Sequence, residues 1–384
     1  YGQAARAAAG DRVARAAIHG RRAAARESVG AYPLALRETT YGRKIAAGVD
    51  GVEGDVVRAN LIARAAIVRS RQSHAEQARR MALEAAELAE RSNALEELAL
   101  AYSAVFVAEA QLGRGSMAEW AQRALDVYES LGNLEGQAAM ALNLGVAAYY
   151  DNHWDETLTW YRRAGDLYRQ VGNLLDAAGT EANIAEVLIN QGRLHEAEPL
   201  LRDAVRVMNA SAFVEVSFVE LHLGRLLSTL GDVSSAERLL RSVVDKCTHA
   251  GQWAWAYEAS THLADCLIRS GRADAGLDVL TSPTNVDVAE VAIFEAARAA
   301  VWARGLLHLG RRDDALQHLY RGVAAARRGN LLFDLAGLLR LACEIGPPFD
   351  PRLGTSDPAG ELTMITDRLG LVTEALASVS ESSS

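Results

Sequence analysis

Polar side chains recur at regular intervals in stretches of this sequence that are otherwise apolar. Glu186 and Asn190 follow Asn183 by three and seven residues, a spacing that places all three on one face of an α-helix. The same offsets return about every 40 residues, and the whole set comprises Asn143, Tyr150, Asn183, Glu186, Asn190, His222, Arg225, Thr229, His262, Asp265, Arg269 and Arg304. We call these twelve residues the polar stripe and predict that they lie side by side on neighbouring helices.

The polar stripe has the residue types of a groove that binds a ligand. An asparagine amide both donates and accepts hydrogen bonds, so it can hold a peptide backbone or a sugar hydroxyl. An arginine guanidinium can grip a carboxylate or a phosphate with two parallel bonds. We therefore predict that the stripe binds a peptide, a protein segment or a small polar effector.

Two other interpretations of the polar stripe stay open. A concave helical surface needs polar residues simply because it faces water. Contacts such as Glu186 with Arg225, or Arg225 with Asp265, would then be exposed ion pairs worth about 1 kcal/mol or less. The two histidines of the stripe, together with Glu186 and Asp265, are also of types that bind metal ions, but their spacing fixes no coordination geometry. We expect neither a metal ion nor another cofactor.

The short motifs of common catalytic sites are absent from the sequence. It has no GxxxxGK[ST] phosphate loop, no HExxH zinc motif and no GxSxG nucleophile turn. No serine, cysteine or lysine stands in a recognisable catalytic setting, and the carboxylates are spread over helix surfaces. We expect that the protein is not an enzyme.

A repeat of about 40 residues indicates where the helices begin and end. Small or turn-forming residues recur 39 to 43 residues apart, at Gly30, Ser73, Gly113, Asn152, Gly192, Gly231, Gly271 and Gly310. Another small residue follows each of them by five positions, as Ala197 follows Gly192. Glycine and asparagine tolerate the left-handed backbone on which helices often end, and small residues let two helices approach closely. The pattern predicts about eight antiparallel helix pairs.

The predicted fold is therefore all-α. One helix pair cannot bury its apolar face alone, so successive pairs must stack into a solenoid. The first helices of the pairs are expected to line the concave surface, which places the polar stripe inside the superhelix. A last helix is expected to cover the open end of the stack.

The repeat resembles the tetratricopeptide repeat (TPR). It shares the small residue at the turn, the alanine five residues later and an apolar-small pair before the turn, as in Leu144-Gly145 and Ile184-Ala185. Its units are longer than the usual ~34 residues. Such long repeats resemble those of the maltose-regulon activator (MalT-like) and of signal-transduction ATPases (STAND), some of which carry LuxR-type DNA-binding domains. The resemblance covers Arg12 to Leu341 and implies a right-handed α-solenoid superhelix.

The resemblance also implies a role. In peptide-binding members of the family, an asparagine at the position of Asn143 and Asn183 contacts the ligand backbone, and the maltose-regulon activator binds an oligosaccharide. This implies the sensor or effector-recognition module of a larger bacterial signalling protein, with an ATPase module upstream. The first residue, Tyr1, is not methionine, which favours a piece of a longer chain. The alternative is a scaffold or self-association module without a small ligand, which would form a homo-oligomer.

Composition divides the chain into four segments. Residues 1–29 form an N-terminal helical junction that includes the first helix of the first repeat, and residues 30–343 continue the solenoid. Residues 344–360 are a proline-rich loop. Residues 361–384 hold the capping helix and a serine tail that is expected to be disordered.

The net charge and the cysteine content indicate which partners and which cellular compartment to expect. The net charge of −9 argues against a dedicated nucleic-acid binder, although the arginines of residues 1–29 leave a basic first helix as a candidate. The three cysteines, Cys247, Cys266 and Cys343, form no disulfide framework, and no apolar stretch is long enough to span a bilayer. We expect a cytoplasmic protein without membrane contact.

Overall fold

The described residues form helices joined by short turns. The computed structural model describes residues 10–72, 74–112, 117–209, 216–281 and 292–372, apart from the side chains of residues 292 and 293. Within these ranges eighteen α-helices and one short 3-10 helix follow one another. The predicted all-α solenoid class is confirmed, since helices that are consecutive in sequence pack against each other as pairs.

Most of the described helices have 14 to 18 residues, and the exceptions have 9, 12 and 20. In order they are α1 (Arg12–Glu27), α2 (Tyr32–Ala46), α3 (Val52–Arg71), α4 (Ala75–Arg91), α5 (Leu95–Gln111), α6 (Met117–Ser130), α7 (Leu134–Tyr150), α8 (Trp154–Gln170), α9 (Leu174–Gln191), α10 (Leu194–Met208), α11 (Val216–Thr229), α12 (Val233–His249), α13 (Trp253–Arg269), α14 (Ala273–Thr281), α15 (Ala292–His308), α16 (Arg312–Arg328), α17 (Leu332–Ile345) and α18 (Pro358–Leu369). Among the described residues, none of these helices combines the length and the apolar character that crossing a membrane requires.

The turns inside the pairs have the left-handed backbone that the repeat predicts. Gly192 has a φ of 81°, Gly231 a φ of 87° and Asn152 a φ of 61°, a region that glycine and asparagine tolerate best. Five residues after the two glycines, Ala197 and Ala236 are completely buried between the helices. The predicted turns at Ser73 and Gly113 lie outside the described residues.

The chain divides into two compact units. The first unit is Tyr1–Ala147 with Asp166–Val171, and the second is Ala148–Gly165 with Gly172–Ser384. In each unit a core cluster joins both helices of one pair to the first helix of the next, as expected for stacked repeats. In the second unit, for example, Leu221 of α11, Val243 of α12 and Ala259 of α13 pack together and are fully buried.

A further helix pair follows the eight that the period predicts. Helix α17 lies beyond the last recurring turn, and α18 packs against it. The segment predicted as a proline-rich loop, residues 344–360, holds the end of α17, a 3-10 turn at Pro351–Leu353 and the first residues of α18. Helix α18 begins after Asp357, whose side chain accepts a hydrogen bond from the Gly360 N–H. The serine tail predicted at the end of residues 361–384 lies outside the described residues.

The last pair of the second unit returns to the first turns of that same unit. The Asn152 side-chain amide donates a hydrogen bond to the Asn330 carbonyl at 3.0 Å. The Gln191 side-chain amide donates to the Leu369 carbonyl at 3.1 Å, and the Val372 N–H donates to the Gln191 carbonyl at 2.9 Å. These contacts join residues almost 180 positions apart, so the helices of the second unit surround an interior.

We expect Gly231→Ala to lower the free energy of unfolding by about 1 kcal/mol, because a left-handed backbone strains any residue with a Cβ. No described atom lies within 4 Å of an added Cβ at Gly231, so the loss of stability would come from backbone strain and not from a steric clash. Gly337→Ala is the control, since this helical glycine has equally open surroundings and alanine favours a helix by about 1 kcal/mol. Urea denaturation measures both, and an unaltered Gly231→Ala stability would contradict the prediction.

We expect Gln191→Ala to weaken the contact of α18 with α9, because the variant lacks the buried hydrogen bond from Gln191 to Leu369. Amide hydrogen exchange in α18 and at Val372 should accelerate, while exchange in α12 stays unchanged. Gln122→Ala is the matched control, because Gln122 donates a hydrogen bond within its own helix, to Asp126 at 2.7 Å. Equal protection of α18 in wild type and Gln191→Ala would show that the Gln191–Leu369 hydrogen bond does not hold α18 against α9.

Candidate ligand-binding site

The interior of the second unit contains a pocket with a volume of about 200 Å³. Five alternate helices, α9, α11, α13, α15 and α17, line it, each being the first helix of its pair. Seven members of the polar stripe lie in its wall, namely Asn190, Arg225, Thr229, His262, Asp265, Arg269 and Arg304. They converge because residues at the same repeat offset occupy the same face of successive helices.

The other five members of the polar stripe lie elsewhere. Glu186 and His222 are beside the pocket and contact each other, with 3.9 Å between the Glu186 carboxylate and the His222 Nε2. Asn183 is half-buried on α9 and Tyr150 is exposed at the end of α7, and neither lines the pocket. Asn143 belongs to the first unit.

One carboxylate links two arginines on the pocket wall. Asp265 of α13 accepts a hydrogen bond from Arg304 of α15, and its second oxygen is 3.7 Å from Arg269. Burial alone would raise the pKa of the Asp265 carboxyl, but the Arg304 and Arg269 guanidiniums outweigh burial and hold this pKa below its ordinary value. Asp265 is therefore ionised at neutral pH and fixes the position of Arg304.

A hydrogen-bonded chain crosses from α7 to α11. Arg225 donates to the side-chain oxygen of Asn190, and the Asn190 amide donates to the Tyr149 hydroxyl at 3.2 Å. The Tyr149 hydroxyl in turn donates to Glu186 at 3.1 Å. The Arg225 guanidinium also lies 5.8 Å from the centre of the Phe333 ring, a cation–π contact with α17. These contacts hold Arg225 at the edge of the pocket.

Three carboxylates surround Arg225. Burial raises the pKa of Glu186 to about 7, helped by the charges of Glu258 and Asp334 and opposed by Arg225. Burial likewise raises the pKa of Asp334 to about 7, against the attraction of Arg225 and with repulsion from Glu258. At neutral pH, Glu186 and Asp334 are therefore only partly ionised, and the charge of this region responds to pH.

His222 is a buried neutral imidazole. Its side chain is 1% exposed, and neither ring nitrogen has a hydrogen-bond partner among the described residues. Burial lowers its pKa to about 3, and the Phe218 ring packs against it edge-on at 4.6 Å. Within the described ranges, no group of three or more His, Cys, Asp or Glu side chains is placed to hold a metal ion.

Several residues of the site are not in the polar stripe. They are Tyr149, Glu258, Phe333, Asp334 and Arg340. Glu258 precedes His262 by four residues and Asp265 by seven, so helical spacing contained the signal for it. Asp334 and Arg340 lie on α17, beyond the last recurring turn, where the repeat offsets give no guidance.

The fold and the pocket define a TPR-like helical-repeat protein whose first helices enclose a polar interior. The family model described as "Soluble NSF attachment protein, SNAP" matches residues 58–254, just over half of the chain, and the chain belongs to this family. No curated protein sequence matches the chain.

Three solved structures show the same fold at low sequence identity. A Rap protein complexed with competence and sporulation factor is 13% identical, with a TM-score of 0.65 over 95% of this chain and 99% of that chain. The apo form of the quorum sensor NprR from B. thuringiensis is 11% identical, with a TM-score of 0.59 over 82% of this chain and 88% of that one. The Rap conjugation gene regulator of plasmid pLS20, in complex with the Phr* peptide, is 17% identical, with a TM-score of 0.51 over 89% of this chain and 92% of that one.

We expect Glu186→Gln to change how stability depends on pH. The folded state keeps the Glu186 proton up to a pKa of about 7, whereas an ordinary carboxyl loses it near 4.5. The stability from this raised pKa is present below pH 4.5 and is lost as pH rises through 7. The variant should therefore gain stability relative to wild type across that window, by roughly 1–3 kcal/mol.

Urea denaturation of wild type and Glu186→Gln from about pH 5 to about pH 8 tests this. Glu196→Gln is the control, because a hydrogen bond from Arg193 lowers the pKa of Glu196, so Glu196 stays ionised over this pH range and its replacement should leave the pH dependence of stability unchanged. If the free energy of unfolding depends on pH in the same way in wild type and Glu186→Gln, then Glu186 ionises normally in the folded protein.

Proposed function

We propose that this chain is a regulatory TPR-like module that recognises an extended peptide, a protein segment or a small polar effector inside its second unit. The observation that carries the proposal is the pocket, because charged and hydrogen-bonding side chains from five successive first helices converge on one space. Polar residues that are present only because a surface faces water would not have to converge on one space.

The chemistry of the wall fits a ligand with both amide-like and charged groups. Asn190 and Thr229 offer short polar side chains, and Arg225 and Arg304 offer guanidinium donors. Arg225 is already held by Asn190 and Phe333, so it loses little side-chain freedom when a ligand binds. Such preorganisation favours affinity.

The comparisons support a peptide or protein segment over a sugar as the ligand. The family model is described as an attachment protein, and two of the similar structures are complexes, one with competence and sporulation factor and one with the Phr* peptide. The likeness to those structures is one of fold. We therefore propose only the kind of ligand for this chain and no individual ligand.

We also propose that the module is non-catalytic and works in the cytoplasm within a larger signalling protein. The sequence supports this through its lack of catalytic motifs and its sparse cysteines. The upstream ATPase module, and an output domain as in STAND, MalT-like or LuxR-type regulators, follow from the resemblance of the long repeats alone. A scaffold or self-association module is the alternative.

We expect peptides selected from a displayed random library on the wild-type chain to bind Arg225→Gln at least tenfold more weakly, because one charge-assisted hydrogen bond contributes about 1.5–3 kcal/mol. Isothermal titration measures the affinities. Arg241→Gln is the matched control, since Arg241 lies on α12, pairs with Glu237 within the same helix and is about half exposed, at 51%.

Equal affinity for wild type and Arg225→Gln would place the binding surface outside the pocket. If no peptide is selected and light scattering shows a mass that grows with concentration, the scaffold alternative replaces this proposal. A monomer that binds peptide supports it.

A further inference from the structure

A smaller cavity lies where the last helix pair returns to the start of the second unit. It has a volume of about 40 Å³, and its wall is formed by the end of α7, the first residue of α8 and the turn that leads into α17. The hydrogen bond from Asn152 to Asn330 joins the two sides of this wall. A water molecule needs roughly 10–15 Å³ of such space, so the cavity has room for a group of about two or three heavy atoms.

Four aromatic residues line this space, which we call the aromatic cavity: Tyr149, Tyr150, Trp154 and Phe333. The Tyr149 and Trp154 rings are stacked with 5.8 Å between their centres, and the Phe333 ring lies 5.7 Å from Trp154. The Tyr150 ring meets Tyr149 edge-on at 5.6 Å. The face of an aromatic ring is negative and attracts cations, and several rings around one small space are an arrangement that binds ammonium ions.

Asp334 lines the aromatic cavity as well as the larger pocket. Within the described part of the chain, its side chain forms no ion pair and accepts no hydrogen bond from another side chain. Arg225 faces it, but this guanidinium donates to Asn190 and lies over the Phe333 ring. A carboxylate away from water is unfavourable unless a cation pairs with it. A cation in the aromatic cavity would therefore meet both aromatic rings and a carboxylate that needs a partner.

Two further carboxyls add negative charge near Asp334. Repulsion from Glu258 raises the pKa of Asp334, and Glu258 and Asp334 both raise the pKa of Glu186. Glu186 accepts a hydrogen bond from the hydroxyl of Tyr149, so it contacts one of the residues that line the aromatic cavity. Arg225 is the arginine that lowers the pKa of all three carboxyls. One guanidinium thus faces three acidic groups.

The histidines beside these carboxyls do not supply the missing cation to Asp334. His262 lies 3.8 Å from Glu258 on the same helix and lowers the pKa of that carboxyl. His222 lies 3.9 Å from Glu186, but burial lowers its pKa to about 3, so it is neutral. Neither of its ring nitrogens has a partner among the described residues. Glu258 therefore has a partner of its own, whereas Glu186 and Asp334 depend on Arg225.

We propose that the aromatic cavity binds an ammonium group of the effector, from a lysine side chain or a peptide amino terminus, between its rings and Asp334. The inference rests on the proposed function and names the chemistry that this part of the site selects. An ammonium group is a compact charge with N–H donors for a carboxylate, and aromatic faces favour it over a neutral group. Phe333 and Asp334 line both spaces, so an effector in the larger pocket can extend this group into the aromatic cavity.

Small probes test the inference on the full chain. n-Butylamine represents a lysine side chain and glycinamide represents a peptide amino terminus, while n-butanol and N-acetylglycinamide are their neutral matches. We expect at least one amine to bind wild type near neutral pH. Its neutral match should bind at least tenfold more weakly, because it lacks the charge-assisted hydrogen bond. Ligand-observed NMR titration at low salt measures the affinities.

Variants locate the binding. Asp334→Asn should weaken the amine at least tenfold, because it removes the charge and keeps the shape of the side chain. Tyr150→Leu should weaken it about threefold through the loss of one ring, and it keeps the inference testable if Asp334→Asn fails to fold. The matched controls are Asp314→Asn, whose exposed carboxylate pairs with Arg311, and Tyr41→Leu, an exposed tyrosine of the first unit. Both should leave the affinity unchanged.

The affinity should also depend on pH through Asp334. With a pKa of about 7, roughly one tenth of this carboxyl is ionised at about pH 6 and roughly nine tenths at about pH 8, whereas an alkylammonium stays charged throughout. The affinity for n-butylamine should therefore rise about tenfold over this range. Asp334→Asn should abolish most of the rise. The other titratable groups that face Asp334 are Tyr149 of α7, Glu186 of α9, Arg225 of α11 and Glu258 of α13, and all of them remain in this variant.

Each outcome decides the inference. Binding of n-butylamine alone identifies a lysine side chain as the ligand group, and binding of glycinamide alone identifies an amino terminus. Failure of both amines, equal binding of the neutral matches, or affinities that Asp334→Asn and Tyr150→Leu leave unchanged would overturn it. A selected peptide that binds wild type, loses affinity with Arg225→Gln and keeps it with Asp334→Asn would overturn the ammonium site while leaving the proposed function intact.

Discussion

Close contact between the two helices of each pair is the constraint on which the rest of the structure depends. At Gly224, where the repeat has a small residue, an added Cβ would lie 2.8 Å from the Leu240 side chain of the next helix. Such an approach is possible only if the turn between the helices is short, and the left-handed Gly231 provides that turn. Since the pairs that turn at Gly192, Gly231, Gly271 and Gly310 share this left-handed backbone, their first helices stack in register and their exposed faces align.

Alignment of the first helices turns a set of distant residues into one pocket. Asn190, Arg225, Asp265 and Arg304 are separated by about one repeat each in sequence and lie on the first helices of four successive pairs, around the same space. Their mutual contacts run from helix to helix, from Arg225 to Asn190 and from Arg304 to Asp265. These contacts thus tie neighbouring repeats together and at the same time fix the donors that face the interior.

Burial makes the charges of this interior unlike those of an ordinary protein surface. Glu186 and Asp334 have a raised pKa near neutrality, while Asp265 stays ionised between two arginines. The difference comes from the number of cations each carboxyl faces, because Glu186 and Asp334 share Arg225 whereas Asp265 has two arginines of its own. The region around Arg225 therefore becomes more positive as pH falls, because Glu186 and Asp334 take up protons.

The sequence by itself determined the helix class, the turns and the face on which the polar stripe lies, because these depend on local backbone preference and on a period that every repeat obeys. Seven of the twelve stripe residues lie in the pocket wall. Tertiary structure alone decided the return of α17 to the start of the second unit, and with it the presence of Phe333, Asp334 and Arg340 in the site. It also decided which carboxyls hold their protons. The reason is physical: contacts between residues almost 180 positions apart, and the burial they create, leave no trace in a local pattern.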